Sequence, residues 1–279
     1  MYNLLISLAI AGACYALGAV VVSSAVAGIL PAVLGFVIAY FILARRTYKQ
    51  VEGIAQSAME HLQAAQQDPS AIDRATTIIE AGLPKGKWQF LVTSQLHGQL
   101  GQLAFMKANM AQSKDRSDAK AHLLQSWSRD WLSKTILSVI LFEEKQHTEA
   151  LKCLDDARGG GSGHALYWAV YAYIAKAAGK SDVALKVLSD GLDKNKDHAG
   201  LKAFRDAAAN NAALPIQEFS PQWFQFFPMH VQKLPYEEQM KLMGANAPAM
   251  SRAQRRAMKR GVEPQQQGKG KYNIPHPRR

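Results

Sequence analysis

The first 44 residues of the chain contain no Asp, Glu, Lys, Arg or His. As a single helix, the apolar run over residues 4–44 would extend roughly 60 Å, about twice the ~30 Å hydrocarbon core of a bilayer. This length predicts two membrane spans, over residues 4–22 and 26–44, joined by a very tight turn. One kinked span is the alternative. Residues 1–46 are therefore predicted to be a transmembrane anchor.

Charged residues also predict the orientation of this anchor. No basic residue precedes the first span, whereas Arg45, Arg46 and Lys49 directly follow the second. Positively charged flanks remain in the cytoplasm, so we expect a multi-pass protein of a bacterial inner membrane with the soluble region and both termini cytoplasmic. A cleaved signal peptide would need a basic segment before the apolar run, and none is present.

Cysteine is scarce, and no recognisable catalytic motif is present. The two cysteines, Cys14 and Cys153, do not predict a disulfide, which favours a reducing compartment. The stretch AAGKS at 177–181 has Ile174 where a phosphate-binding loop needs glycine, and the eight histidines show no metal-binding spacing. We therefore expect no cofactor, no metal and no enzymatic activity, although residues distant in sequence can converge.

A pattern of small, large and small side chains occurs in three stretches: IDRATTIIEAGL at 72–83, HTEALKCLDDAR at 147–158 and SDVALKVLSDGL at 181–192. A looser copy lies at 119–127. The aligned positions are Ala75, Ala119, Ala150 and Ala184, then Ile79, Leu123, Leu154 and Leu188, then Gly82, Ser126, Ala157 and Gly191. Spacings of four and three place them on one helix face, which predicts close helix packing there.

The last two copies are 34 residues apart, and the region resembles the tetratricopeptide repeat (TPR) family. In residues 165–198, Trp168 and Ala172 match the family's first helix and Gly179 its turn. Residues 131–164 have Lys145 at that turn, and GGGSG at 159–163 is interpreted as a linker between repeats. The resemblance implies an all-α protein with a TPR-like α-solenoid over residues 47–210. An irregular helical bundle is the alternative, and we expect almost no strand.

The resemblance also implies a concave groove, lined by first helices, that binds a protein or peptide partner. The groove-facing candidates are Leu132, Thr135, Val139, Phe142, Glu143, Leu166, Ala169, Tyr173, Lys176 and Ala177. Tyr173, Phe142 and Lys176 resemble ligand-binding residues most closely. The alternative is that they pack against the next repeat or against residues 214–235.

The end of the chain divides into two segments. Residues 211–248 carry five aromatics between 219 and 227, and we expect them to cap the solenoid or to contact the membrane interface. Residues 249–279 form a basic tail, partly disordered by composition, whose 251–279 stretch carries eight of the eleven net positive charges. Its candidate lipid- or nucleic-acid-binding residues are Arg252, Arg255, Arg256, Lys259 and Arg260. Anionic lipid, ribosome or RNA contact, and simple solubilisation are all compatible with this tail.

Two functions therefore follow from the sequence. The first is a membrane-anchored TPR-like scaffold that docks a protein partner. The alternative is a membrane factor whose basic tail binds ribosome, RNA or anionic lipid, with the repeats as a spacer. The oligomeric state is not predicted.

Overall fold

The computed structural model describes residues 1–63, 68 and 70–233, and within these ranges every regular element is a helix. The all-α prediction is therefore confirmed for the described residues. The helices are α1 Tyr2–Val22, α2 Ile29–Gln63, α3 Ser70–Gly82, α4 Val92–Met110, α5 Ser117–Leu124, α6 Trp131–Glu143, α7 His147–Gly161, α8 Ala165–Ala177, α9 Ser181–Lys194, α10 Ala199–Ala209 and α11 Trp223–Phe226. Short 3₁₀ helices lie at Val26–Gly28, Leu83–Lys87, Ile216–Phe219 and Pro228–Lys233. Residues 1–229 form one compact unit, and 230–279 form a second, of which residues 230–233 are described.

Two N-terminal helices are long and apolar enough to cross a membrane. Within Tyr2–Val21 and Val26–Gln63, the most apolar 18-residue stretches have mean hydropathies of 2.3 and 2.5, and most side chains of these segments are exposed. The expected pair of apolar helices is confirmed. The boundary predicted at residue 46 lies inside α2, which continues without interruption to Gln63.

Small residues allow α1 and α2 to pack closely. A Cβ added at Gly28 would lie 2.6 Å from the Tyr15 carbonyl oxygen, and one at Gly35 would lie 2.7 Å from Cys14 Sγ. After α1, Ser23 adopts a left-handed conformation, and its backbone N–H donates to carbonyl groups in the last turn of α1. This cap produces the tight turn between the two helices.

The repeated small and large positions are the buried face of α3, α5, α7 and α9, except that Ser126 lies just after the end of α5. The alanine column is at most 1% exposed, and the large column of Ile79, Leu123, Leu154 and Leu188 at most 3%. At the third position, Gly191 lies against the Trp168 ring, where an added Cβ would approach within 2.7 Å. The predicted packing face is confirmed, because the small residues bring helix backbones close to the larger side chains of their neighbours.

Helices from α2 to α10 pack in chain order, each against the next. The first helices of successive hairpins also contact each other, in the pairs α4 with α6, α6 with α8 and α8 with α10. These contacts form a continuous row of first helices. Most of the largest core cluster lies in α6–α10, with α4 and α5 contributing Phe105, Ala119 and Leu123.

Equivalent turns adopt the same backbone conformation whether or not they contain glycine. Gly179, between α8 and α9, has φ 76°, and Lys145, between α6 and α7, has φ 63°. The left-handed conformation is readily adopted by glycine and costs lysine free energy. The chain accepts that cost at Lys145 because the hairpin requires this turn.

One local interpretation of the sequence is wrong. The stretch GGGSG is not a linker, because α7 continues through Gly161. Helix α10 is capped by His198, whose side chain accepts a hydrogen bond from the Leu201 N–H, while the neighbouring Asp197 pairs with Lys202.

Two glycines of α7 lie in close contact with residues before α6 and in α8. A Cβ at Gly160 would lie 1.9 Å from the Arg129 carbonyl oxygen, and one at Gly161 2.6 Å from the Tyr167 ring. At Gly159 nothing lies within 4 Å. A side chain therefore has room at Gly159 but would clash at Gly160 and Gly161.

We expect Gly160→Ala to lower the free energy of unfolding by about 1–3 kcal/mol, because the backbone must shift to accommodate the new methyl group. The matched control Gly159→Ala is expected to raise it by roughly 0.4–1 kcal/mol, since alanine loses less conformational entropy in a helix. Unfolding of the detergent-solubilised chain, followed by circular dichroism, measures both. Equal effects of the two substitutions would contradict the close contact.

Candidate functional site

The predicted groove residues differ in accessibility. Thr135, Val139 and Ala169 have no exposed surface, so they pack between helices and present nothing to a partner. Glu143 and Ala177 are exposed at the C-terminal ends of α6 and α8. The remaining candidates, Leu132, Phe142, Leu166, Tyr173 and Lys176, are half-buried, and the chain's own C-terminal segment covers part of this face.

The aromatic segment over residues 214–227 packs onto the first helices. Tyr173 of α8 contacts Trp223 edge-on, with ring centroids 5.2 Å apart, and lies 5.0 Å from Phe227. Phe142 of α6 meets Tyr173 at 6.1 Å. Lys176 donates a hydrogen bond to the Ala212 carbonyl oxygen. Of the three most ligand-like residues, Tyr173 therefore contacts the segment directly, Phe142 contacts Tyr173, and Lys176 binds the chain just before the segment.

Other residues of this segment extend the contact in both directions along the row of first helices. Phe219 packs edge-on against Phe204 of α10 at 5.1 Å and stacks on His198 at 5.5 Å. At the other end, Asn109 of α4 donates to the Gln225 carbonyl oxygen at 3.4 Å. Trp223 and Phe226 are at most 2% exposed. The segment thus fills its part of the face as a hydrophobic core would.

An open cleft remains at the N-terminal ends of α6 and α8, beside the segment. Its volume is about 550 Å³. The described residues that line it are Trp131, Leu132, Gly163, His164, Ala165, Leu166, Asn195, His198, Phe219, Gln222, Gln225 and Phe226. Leu132 and Leu166 are the two predicted groove residues among them. No Lys, Arg, Asp or Glu occurs among these described lining residues, so the cleft favours an uncharged ligand surface.

Aromatic stacking organises the cleft wall. The His164 imidazole stacks on the Trp131 indole, with centroids 4.2 Å apart and planes 20° from parallel. His198 is similarly stacked on Phe219, and its Nδ1 accepts the Leu201 N–H. Asn195 donates to the carbonyl oxygens of Ser162 and Gly191. Gln222 and Gln225, both exposed, offer amide groups at the mouth of the cleft.

Apart from Leu132 and Leu166, the residues that line the cleft were not among the predicted groove residues. The 34-residue spacing nevertheless contains a signal for some of them. Trp131, Ala165 and Ala199 begin α6, α8 and α10 at intervals of 34, and His164 and His198 directly precede the last two. Residues at equivalent positions of stacked repeats lie side by side. No such spacing predicts that Gln222, Gln225 and Phe226 line the cleft, because they lie outside the predicted repeats.

Arg116 lies just before α5, near Phe105 of α4 and Glu143 at the C-terminal end of α6. Arg116 is placed over the Phe105 ring, 5.1 Å from its centroid, and its Nε and Nη1 are buried without a hydrogen-bond partner among the described residues. Desolvation lowers the pKa of Arg116, and the charge of Glu143 opposes this shift. Desolvation likewise raises the pKa of Glu143, against the effect of Arg116. The two side chains thus interact electrostatically.

Cys153 and His97 also have shifted pKa values. Burial raises the pKa of the Cys153 thiol, which disfavours the nucleophilic thiolate, and its Sγ donates to the Lys134 carbonyl oxygen. His97 Nδ1 lies 2.9 Å from His122 Nδ1, and desolvation, then the charge of His122, lowers the pKa of His97. Among the residues the structure covers, no group of three or more His, Cys, Asp or Glu could hold a metal ion.

The basic-tail candidates, Arg252, Arg255, Arg256, Lys259 and Arg260, lie outside the described residues. The predictions of lipid, ribosome or RNA contact through the tail therefore stay predictions. Comparison with known proteins finds no matching protein-family model, curated protein or solved structure.

Replacing the buried indole of Trp223 tests the contact between residues 214–227 and the first helices. We expect Trp223→Ala to cost about 3–5 kcal/mol, because the cavity left beside Tyr173 and Phe204 cannot collapse fully. Cleavage by a protease within residues 211–229 should become much faster. In the control, Met229→Ala removes a side chain that is 60% exposed and should change stability by less than about 0.5 kcal/mol. Unchanged proteolysis in Trp223→Ala would contradict the packing described.

Proposed function

We propose that this protein is a membrane-anchored docking protein, in which TPR-like helical repeats present the cleft to an apolar segment of a protein partner. The observation that carries the proposal is the binding of residues 214–227 to the first-helix face. The chain itself illustrates which chemistry this face accepts: a short segment that buries closely spaced aromatic side chains. A partner segment of similar character fits the remaining cleft beside it.

The order of helix contacts supports a TPR-like arrangement. Successive hairpins place α4, α6, α8 and α10 side by side, as a stack of helical hairpins does. The matched turns at Lys145 and Gly179 and the 34-residue spacing of the helix starts agree with this family. Such stacks bind peptides or helices along their first helices.

The walls of the cleft indicate the chemistry of the partner. Trp131, Leu132 and Leu166 offer apolar contact area, and large aromatic residues contribute strongly to binding at interfaces. Gln222 and Gln225 can hydrogen-bond to the backbone of a bound segment. A charged side chain would lose its hydration at the cleft wall without finding an opposite charge. We therefore expect the bound segment to have apolar side chains and to hydrogen-bond through its backbone.

The two apolar helices supply the anchor in this proposal. Arg45, Arg46 and Lys49 follow the second span and favour a cytoplasmic position for the domain that carries the cleft. Attachment to the membrane confines the docking domain to the vicinity of membrane partners. This raises its effective concentration towards them.

Cysteine labelling tests the orientation. In a chain whose native Cys14 and Cys153 are replaced by alanine, we expect Ser24→Cys, in the turn between the apolar helices, to react with a membrane-impermeant maleimide on intact cells. Lys180→Cys, in the exposed turn before α9, should react only after lysis, because the positive flank keeps the domain inside. Labelling of Lys180→Cys on intact cells would contradict the cytoplasmic orientation.

Site-specific cross-linking in native membranes tests docking. We expect benzoylphenylalanine at Gln222, on the rim of the cleft, to form one discrete adduct, whereas the same group at exposed Lys152 on α7 should not. Gln225→Arg should reduce the adduct at least about tenfold, because it places an unpaired charge at the apolar cleft. The matched control Gln217→Arg changes an exposed glutamine of the same segment away from the cleft and should leave the adduct unchanged.

The same cross-linking experiment separates docking from a function of the tail. Removal of residues 249–279 should leave the Gln222 adduct intact if the cleft binds the partner. An adduct that disappears with the tail, or one that is insensitive to Gln225→Arg, would overturn the docking proposal.

A further inference from the structure

The loop between α3 and α4 is held against the start of α1 and the middle of α2. This loop, called here the 83–91 loop, contains the 3₁₀ helix Leu83–Lys87 and the turn that follows it. The Met1 amino group donates to the Lys87 carbonyl oxygen, and the Asn3 N–H donates to the Trp88 carbonyl oxygen at 3.1 Å. The Tyr2 and Trp88 rings pack edge to face at 5.3 Å. The loop is therefore tied to the first turn of α1.

Polar contacts tie the same loop to α2 at the end of its apolar part. Asn3 is buried, and its Nδ2 lies 3.3 Å from the Leu43 carbonyl oxygen, 2.9 Å from Thr47 Oγ1 and 3.0 Å from Gln89 Oε1. Gln89 Nε2 donates in turn to the Tyr40 hydroxyl at 3.2 Å. The hydrogen bonds of Asn3 thus hold the start of α1, the end of the uncharged run in α2 and the 83–91 loop at the same height along the two apolar helices. In a bilayer, this is the level at which hydrocarbon gives way to headgroups.

The loop exposes apolar side chains at this level. Trp88 is 43% exposed and Phe90 61% exposed, and Tyr48 on the neighbouring turn of α2 is 62% exposed. Trp and Tyr are the side chains that concentrate at membrane interfaces, because their rings are apolar and carry one polar group. In water, such a cluster of exposed aromatics would be unfavourable.

The charges around the loop have one sign. Residues 39–51 and 83–91 contain Arg45, Arg46, Lys49, Lys85 and Lys87 and no Asp or Glu. A cavity of about 500 Å³ lies between α2 and the loop, and its described lining includes the apolar rings of Phe41 and Phe90, the Gln89 amide and one charged side chain, Arg45. Apolar contact area together with a cationic group fits a phospholipid with an anionic headgroup.

We propose that the 83–91 loop inserts Trp88 and Phe90 into the headgroup region of the cytoplasmic leaflet and that the cavity beside it binds an anionic phospholipid. The inference rests on the proposed anchoring of α1 and α2 in a membrane, and it is independent of partner docking. It assigns the loop a specific role, which is to hold the helical domain at a defined height and orientation on the membrane surface.

Fluorescence quenching by brominated lipids tests the insertion. The full chain is reconstituted into phosphatidylcholine vesicles that contain phosphatidylglycerol, with bromine placed either near the headgroups or deep in the acyl chains. We expect headgroup-proximal bromine to quench part of the tryptophan emission and deep bromine to quench less. Trp88→Phe, which keeps a ring beside Tyr2, should abolish this quenched component.

Trp127 provides the matched control, because it is 41% exposed, nearly as much as Trp88, but lies between α5 and α6. Trp127→Phe should leave the quenching unchanged. Quenching that persists in Trp88→Phe, or that disappears in Trp127→Phe, would overturn the assignment of the loop to the interface.

Lipid selectivity tests the second part of the proposal. We expect brominated phosphatidylglycerol to quench Trp88 more strongly than brominated phosphatidylcholine at equal mole fraction, and Arg45→Gln, which removes the charge at the cavity, to reduce this preference by up to about fivefold. Added salt should weaken the preference, and the control Lys180→Gln should not affect it. Equal quenching by the two lipids, or a preference unchanged in Arg45→Gln, would overturn the lipid site.

Alkaline extraction of the same vesicles distinguishes the possible failures. A chain that stays in the membrane while Trp88 is not quenched contradicts the loop proposal and leaves the anchor intact. A chain that is extracted contradicts both. The Gln222 cross-link reports on docking separately from either result.

Discussion

The small side chains at equivalent positions of α3, α5, α7 and α9 let the helices pack closely, and the arrangement of the other helices follows from this packing. Alanines at positions 75, 119, 150 and 184 have almost no exposed surface, and each lies one turn from a large buried aliphatic residue. Where the column ends in glycine, as at Gly191, the neighbouring helix places an indole ring against the backbone. A larger residue at these positions would separate the hairpins, and the row formed by α4, α6, α8 and α10 would be lost.

That row gives the chain a continuous surface, and the chain covers much of it with its own residues 214–227. Tyr173 and Phe142 were predicted to face a partner, but Tyr173 contacts the segment and Phe142 contacts Tyr173. The segment therefore has two consequences: it protects the apolar face of the last hairpins from water, and it forms one wall of the cleft beside Trp131 and Leu166. In the proposed function, a partner binds next to this segment without displacing it.

The apolar helices are connected to the helical domain by more than a covalent link. Helix α2 passes from the apolar run into the domain without a break, and Asn3 binds α2 and the 83–91 loop at the same level. A continuous helix and a buried hydrogen-bonded amide resist bending better than a flexible linker does. In the proposed arrangement, the height of the cleft above the membrane then follows from the geometry of α2 and the loop.

The helical class, the two apolar helices and the buried faces of α3, α5, α7 and α9 could be read from the amino-acid pattern alone. Contacts between residues three or four positions apart and the length of one apolar run produce these features, and both are visible in the order of the residues. The turn at Gly179 followed from the resemblance to the TPR family, which has glycine at that position. The TPR family assignment and the role of the basic tail remain predictions.

Which first-helix residues are accessible depends on contacts that form when the chain folds. Thr135, Val139 and Ala169 share a predicted face with Leu132 and Leu166, yet the neighbouring helices and residues 214–227 bury some and leave others beside a cleft. The glycines at 159–161 resembled a linker, and close contact with Arg129 and Tyr167 explains them instead. Contacts between residues far apart in the chain decide these outcomes, because burial depends on which surfaces meet in space, and a one-dimensional pattern carries no record of that.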